Sequence, residues 1–331
     1  MKKLLLYLPL LCLALSPAGA EELKCEEFSP KLKSLKVMTM APVKRDKVWL
    51  EGSPAATFQT ACAPDGFKTE EAEYQQKTLV SKKRFVHKSR EEVKNLCRGV
   101  KTEEGADSPE GEDSRADLDK FCKEYLKKDP EAVMIYDAVA APDASSSSNL
   151  VRQTFRFYNS KGLPAEDHQF DNYMGPEART EYKYSGKGEL AERTEYGPDG
   201  TRLKQEVHSL DKKTGTRSVS VFNEHSQLLK KTVREFRKDG TLEKEVRTEY
   251  NAGEQMLSKF DISCDEKGRP RTEAVYEGGE APAYEYRYAY KYDAKGNWTE
   301  ERKIKFLTYG GKKLEDKTAS PRITKRELAY Y

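Results

Sequence analysis

Along Tyr284–Tyr292 the chain alternates without a break. Tyr284, Tyr286, Tyr288, Tyr290 and Tyr292 hold one set of positions, and Glu285, Arg287, Ala289 and Lys291 hold the other. A period of two puts the tyrosines on one face of a β-strand and the charged residues on the opposite face, and tyrosine suits a pleated, half-buried surface. The segment after Gly240 follows the same rule. Leu242, Val246, Thr248 and Tyr250 share a face with Lys244, while Glu243, Glu245, Arg247 and Glu249 fill the other.

Between such strands one four-residue turn keeps returning, usually with Asp, Asn or Ser first and Gly last. Its copies are Asn159–Gly162, Ser185–Gly188, Gly197–Gly200, Arg237–Gly240, Asp265–Gly268 and Asp293–Gly296, with degenerate copies at Asp211–Gly215, Asn223–Ser226 and Asn251–Glu254. An Asx side chain at the first position accepts from backbone N–H groups two residues on. A final Gly takes the positive φ that follows a type I turn in a hairpin. From Ser226 to Gly268 the turns end at 226, 240, 254 and 268, a spacing of fourteen residues. Such a period divides into about four residues of turn and ten of strand, so successive units run antiparallel. The predicted fold class is mainly β: an antiparallel up-and-down meander of 14-residue strand-plus-turn repeats with a small α+β N-terminal region. The repeat region should hold roughly nine or ten strands, with another reversal at Gly278–Pro282, and the pattern is compatible with an open, curled or closed sheet.

The N-terminal part reads differently. Lys2 and Lys3, the apolar run Leu4–Leu15 and the small residues Ala18–Ala20 have the form of a secretory signal over residues 1–20. The apolar run is too short for a permanent membrane helix. Residues 21–130 read as a disulfide-containing α+β region and 131–331 as the β-repeat sheet. Short strands are expected around Trp49 and Phe58, and Lys77–Lys88 suits a strand or a helix. Two short helices are expected around Cys97 and Cys122, the first opened by a capping box of Ser89 and Glu92 and stopped by Gly99. The acidic, small-residue stretch Thr102–Ser114 reads as a loop, and Pro142–Asn149 as a flexible connection. Glu131–Ala140 and Leu150–Tyr158 read as strands that pair and begin the sheet.

Composition narrows the function classes. Charged residues make up 35% of the chain, and removal of Lys2 and Lys3 with the signal leaves 57 basic against 56 acidic residues. That near-balance gives no net attraction to nucleic acid or to anionic lipid. The expected partner is an envelope protein or a polysaccharide, with no nucleic acid and no membrane span after signal cleavage. Export permits disulfides. A Cys97–Cys122 bridge joining the two helices is the first expectation and Cys25–Cys62 follows by elimination. Cys264 is then left odd, and spacing alone leaves other pairings open.

The repeats also carry a resemblance. Tyr290–Asn297 (YKYDAKGN), Tyr182–Leu190 (YKYSGKGEL) and Glu195–Leu203 (EYGPDGTRL) resemble the tyrosine–aspartate repeats of the RHS family, and Lys238–Glu245 (KDGTLEKE) looks like MORN-like repeats. The resemblance covers about residues 150–306 and implies an extended curled sheet at the cell surface or in the envelope. RHS proteins wrap such sheets into shells around toxin domains. This chain departs from them: its period is shorter, its length is too small for a closed shell, and no self-cleaving segment or toxin domain follows. The resemblance therefore implies fold and location, and no functional residue.

No catalytic motif stands out. His87, His168, His208 and His225 lie far apart in the sequence and read as surface residues, and no CxxC or HExxH spacing marks a metal site. Neither metal nor cofactor is expected. Acidic residues are so dispersed that no pair can be nominated for acid–base work. The chain is therefore expected to be a non-catalytic, exported binding or structural module, periplasmic or secreted. The alternatives are an envelope glycan hydrolase with dispersed Glu and Asp, or a toxin-associated accessory protein. An outer-membrane barrel is set aside because Lys244 interrupts the apolar face of its strand, where a mid-membrane charge costs about 2–4 kcal/mol. The candidate binding residues are Tyr284, Tyr286, Tyr288, Tyr290 and Trp298, which form either a packed core face or an exposed stripe for sugars or a partner protein.

Overall fold

The computed structural model describes Cys25 and residues 32–100, 122–124, 126–128, 130–137 and 150–331. The expected signal segment 1–20, the acidic stretch 102–114 and the connection 142–149 lie outside the described residues.

Eighteen antiparallel strands close into one meander barrel. The N-terminal part supplies β1 (Leu32–Met40), β4 (Pro54–Cys62), β5 (Lys68–Gln75) and β6 (Thr78–Lys88). A small hairpin, β2 (Val43–Arg45) and β3 (Val48–Leu50), interrupts the β1–β4 connection. Helix α1 (Arg90–Val100) follows β6. Next come β7 (Glu131–Asp137), β8 (Leu150–Tyr158), β9 (Pro164–Asp171), β10 (Pro176–Tyr184), β11 (Leu190–Tyr196) and β12 (Arg202–Leu210). They are followed by β13 (Arg217–Asn223), β14 (Leu228–Phe236), β15 (Leu242–Tyr250), β16 (Met256–Cys264), β17 (Pro270–Tyr276) and β18 (Tyr284–Tyr292). The chain ends through β19 (Trp298–Tyr309), β20 (Lys312–Glu315) and β21 (Arg322–Tyr330). Each wall strand pairs with the next, and β1 joins β4 on one side and β21 on the other, which shuts the cylinder.

The repeat turns close the same way except Asp211–Gly215, where the Gly215 N–H donates to Asp211 O across one more residue at 2.8 Å and the β12–β13 ladder keeps its register. In Asn159–Gly162 the Gly162 N–H donates to Asn159 O at 2.9 Å and the Asn159 N–H to Leu163 O at 2.9 Å. A one-residue register shift follows in the β8–β9 ladder. This is a type I turn with a bulge at the positive-φ residue. In the degenerate copies Ser226 (φ 64°) and Glu254 (φ 58°) hold that position without being glycine. Turns at one rim begin at Asn159, Ser185, Asp211, Arg237, Asp265 and Asp293, so the unit that returns to the same rim is a hairpin of 26 or 28 residues. Neighbouring turns on a rim grip one another. Arg237 donates to Cys264 O and Asp265 O, each at 2.9 Å, and Gln227 Nε2 to Ala252 O at 2.7 Å.

Sheet closure goes beyond the sequence reading, which left an open, curled or closed sheet undecided. Eighteen short strands close as a simple cylinder and leave no open edge in the wall. Strands of the 21–130 segment join the same sheet as the repeats, so the paired strands β7 and β8 continue a wall that β1 opens. Lys77–Lys88 resolves as strand β6. Ten strands, β9 to β18, lie between the turns at 159 and 296, in line with the turn count.

The two faces of the wall differ. Lys303 on β19 contacts Glu273 on β17, and Arg156 on β8 contacts Tyr182 on β10, each link passing over an intervening strand. Side chains converge on the concave side of a curved sheet, so these links mark the face carrying the tyrosines as the lumen. The outer face carries ion pairs such as Lys244–Asp261 at 3.2 Å and Lys36–Glu327 at 3.0 Å. Its largest apolar cluster lies under α1, where Val93 and Cys97 pack with Cys122, Ala132, Phe155, Phe157, Phe170 and Met174. Helix α1 opens with the expected capping box: Ser89 N–H donates to Glu92 Oε2 at 2.8 Å and Glu92 N–H to Ser89 Oγ at 3.4 Å. Disulfides Cys97–Cys122 and Cys25–Cys62 are both formed, and Cys264 is a buried free thiol.

Candidate functional site

Strand β18 presents its tyrosines to the lumen in a row. Register sets the neighbours: Tyr286 lies opposite Glu273 on β17 and Lys305 on β19, Tyr288 opposite Lys303, and Tyr290 opposite Glu301. Rings along the row touch. Tyr284 and Tyr286 meet edge to face with centroids 5.4 Å apart, and Tyr288 and Tyr290 lie nearly parallel at 6.4 Å. Trp298 joins through the bulge that opens β19, its ring 6.1 Å from that of Tyr290. All five proposed residues, Tyr284, Tyr286, Tyr288, Tyr290 and Trp298, therefore line one strip of wall, and each is half-buried. This differs from both sequence alternatives, a sealed core and a bare stripe.

Their polar surroundings were not legible from the sequence. Nearly every ring carries a cation on its face. Lys305 Nζ lies 4.2 Å above Tyr284, Lys303 4.0 Å above Tyr286, and Arg326 3.6 Å above Trp298. Arg269 sits 5.5 Å from Tyr290 and 4.2 Å from Tyr292. Such contacts contribute on the order of 0.5–2 kcal/mol, more where water is excluded. The hydroxyls point to carboxylates: Tyr288 donates to Glu273, and Tyr290 to Glu301 Oε2 at 3.3 Å. Glu301 also meets Arg322 at 3.3 Å. Burial, reinforced by the Glu273 charge, pushes the Tyr288 hydroxyl far above its ordinary value, and burial is also the main cause that pushes Tyr284 up to about 12. Burial pulls the Lys303 ammonium below its usual range, with Glu273 acting against it. The strip is thus a row of neutral phenols flanked by paired cations and carboxylates.

The same mixed lining runs around the lumen. Asp167 accepts from Arg156 Nε and Nη2, each at 2.7 Å, and from the Tyr182 hydroxyl at 2.8 Å. Glu245, only 4% exposed, is held between Arg234 and Arg247. At the rim ending β10, β12 and β14 a cavity of about 650 Å³ opens between Lys187, His208, Arg217, Arg234, Leu210 and Phe236. The histidines correct the sequence reading in part. His225 is exposed at its turn, while His168 is buried against Phe157 and bonded to Glu166 at 2.8 Å. Burial lowers its pKa.

No family model matches the chain, and no curated protein matches it in sequence. Among solved structures, a porin-like protein from Bacteroides uniformis is similar at 8% identity and TM-score 0.43, over 90% of this chain and 98% of that one. The TcdB2-TccC3 complex is similar at 11% identity and TM-score 0.23, over 83% of this chain and 15% of that one. A porin-like protein from Bacteroides vulgatus is similar at 13% identity and TM-score 0.25, over 54% of this chain and 94% of that one.

Proposed function

We propose that the chain is an exported, non-catalytic binding or structural module of the cell envelope, periplasmic or secreted, whose lumen tyrosine strip holds a polysaccharide or a segment of a partner protein. One observation carries the reading: Tyr284, Tyr286, Tyr288, Tyr290 and Trp298 form a continuous half-buried aromatic strip on a wall facing enclosed space. Half-buried rings with polar tips stack on sugars and pack on peptides while staying wetted. The carboxylates beside them, Glu273 and Glu301, are already engaged by Tyr288, Lys303, Tyr290 and Arg322. A glycan hydrolase would need an acid–base pair free to exchange protons with substrate, so this pairing favours binding over hydrolysis. The tyrosine–aspartate repeat resemblance suits the same reading.

The barrel is read as standing in water rather than spanning a bilayer. Lipid-facing barrels carry an apolar outer band, whereas the outer face here carries Lys244, Asp261, Arg287, Glu300 and Lys325. Recovery of the mature protein in detergent-free buffer tests that point.

The binding reading is tested by retention of envelope polysaccharides and proteins on the oxidised mature protein, with Tyr286, Tyr288 and Tyr290 all changed to Ser beside the parent. A folded variant that no longer captures the parent's guest supports the strip as the recognition face. A folded variant with unchanged capture removes the strip from the reading.

A further inference from the structure

The rim where β1 leaves the wall carries two hairpins side by side. One is β2–β3. The other forms because β19 outruns its partner. The β19–β21 ladder ends at Lys303↔Arg322, and Phe306–Tyr309 pairs with β20 instead. Lys317 O ties the two together, accepting from Lys44 Nζ at 2.8 Å and Trp49 Nε1 at 3.1 Å.

Register then decides what each hairpin turns outward. Lys44 lies opposite Trp49, and both face Lys317. The opposite face of that hairpin therefore presents Val43, Arg45, Val48 and Leu50, with the three apolar residues 48%, 58% and 44% exposed. In the second hairpin Leu307 lies opposite Leu314 and Tyr309 opposite Lys312 on one face, with Leu307, Leu314 and Tyr309 40%, 53% and 79% exposed. Among the described residues these two short hairpins hold six of the seventeen exposed large apolar side chains. A chain this rich in charge gains nothing in solubility from that concentration, and exposed apolar clusters commonly mark interaction sites.

We propose that this double-hairpin rim is a docking surface for an anionic lipid bilayer, with Val43, Val48, Leu50, Leu307, Tyr309 and Leu314 entering the headgroup region. Charge complementarity selects the occupant. Each apolar face carries a cation, Arg45 or Lys312, and no carboxylate. Over the two hairpins themselves Lys44, Arg45, Lys47, Lys312 and Lys313 stand against Asp46 and Glu315, with Lys313 turned to the other face and paired with Glu285, so this part of a nearly neutral protein is basic. Apolar and aromatic side chains interleaved with Lys and Arg match the boundary between acyl chains and acidic headgroups. The contact is peripheral and stands apart from the lumen reading.

The test is sedimentation of the oxidised mature protein with vesicles of 30% phosphatidylglycerol in phosphatidylcholine, beside pure phosphatidylcholine vesicles. Binding to the anionic vesicles is expected, weakened about tenfold or more by Val48→Ser with Tyr309→Ser, and similarly by Arg45→Glu with Lys312→Glu. All four residues sit on exposed hairpins, and unchanged circular dichroism and melting serve as the fold control. Equal binding of parent and Ser variant would overturn the proposal, because it places adsorption elsewhere on the charged surface. Absence of vesicle binding, with the hairpins instead protected from hydrogen exchange by an envelope protein fraction, would also overturn it in favour of a protein partner.

Discussion

Lys303 reaches over β18 to grip Glu273 with both carboxylate oxygens, at 2.9 and 3.0 Å. The contact pins three adjacent strands on the lumen side, with the Tyr288 hydroxyl completing the carboxylate's shell. Lys303→Met should strand a nearly buried carboxylate and destabilise the protein by about 1–3 kcal/mol. Adding Glu273→Leu should recover part of the loss, since the unpaired charge goes with it. Urea unfolding of the single and double variants checks this, and strictly additive losses would rule the coupling out.

Position 254 should accept improvement. Glu254 holds φ 58° where the regular repeats have glycine. Glu254→Gly should stabilise by about 0.5–1 kcal/mol, because an L-residue strains in that region, less the long bond that Glu254 Oε1 accepts from the Leu228 N–H at 3.3 Å. The gain at Ser226→Gly should be smaller, since Ser226 Oγ accepts from Arg202 at 2.5 Å and that bond would be lost. Thermal melting of the two variants ranks them.

Acid should loosen the turns in a defined window. Asp199 and Asp211 are held below the ordinary aspartate value of 3.8, chiefly by the backbone N–H groups of Thr201 and Lys213, and Asp239 chiefly by the Thr241 hydroxyl. A depressed folded pKa gives stability that is present above the unfolded value and lost as pH falls through the folded one. Changing all three to Asn keeps an acceptor oxygen and removes the titration. The fall in urea midpoint between pH 5 and pH 3 should then be shallower than in the parent, and an equal fall would refute the assignment.

Removing the Cys97–Cys122 bridge, which spans 25 residues, should cost about 3 kcal/mol. Cys97 and Cys122 lie in the cluster that covers Phe155 and Phe157 on the outer wall. Paired Ala substitutions and chemical denaturation measure the cost. Cys264, whose thiol is pushed up by burial, should resist a thiol reagent in the native state and react once the protein is unfolded.

Much of this architecture was legible in local pattern. Turn chemistry located the hairpins, period-two alternation placed Tyr284 to Tyr292 on one face, and the Ser89–Glu92 pair marked the start of α1. Pairing between distant strands was not legible. The contact of Leu32 with Tyr330 that closes the wall, and the register that sets Lys303 beside Tyr288, arise from curvature accumulated over the whole sheet. For the same reason the aromatic strip was visible while the cations above it were not. Lys305 and Arg326 lie on other strands and Arg269 in the turn before β17, and only the folded sheet brings them to the rings.

The seam between β1 and β21 joins residues almost three hundred positions apart, with Val37 beside Arg326 and Thr39 beside Thr324. Most other wall contacts join strands linked by short turns and can form hairpin by hairpin, at little cost in loop entropy, with β6–β7, whose connection includes α1, spanning more of the chain. The seam must wait for nearly the entire chain, so a rate-limiting late step in folding is expected there, with two unsatisfied strand edges exposed until it forms. A circular permutant that links the ends of β1 and β21 by a short loop would turn that slow encounter into one more hairpin and should fold faster to the same barrel.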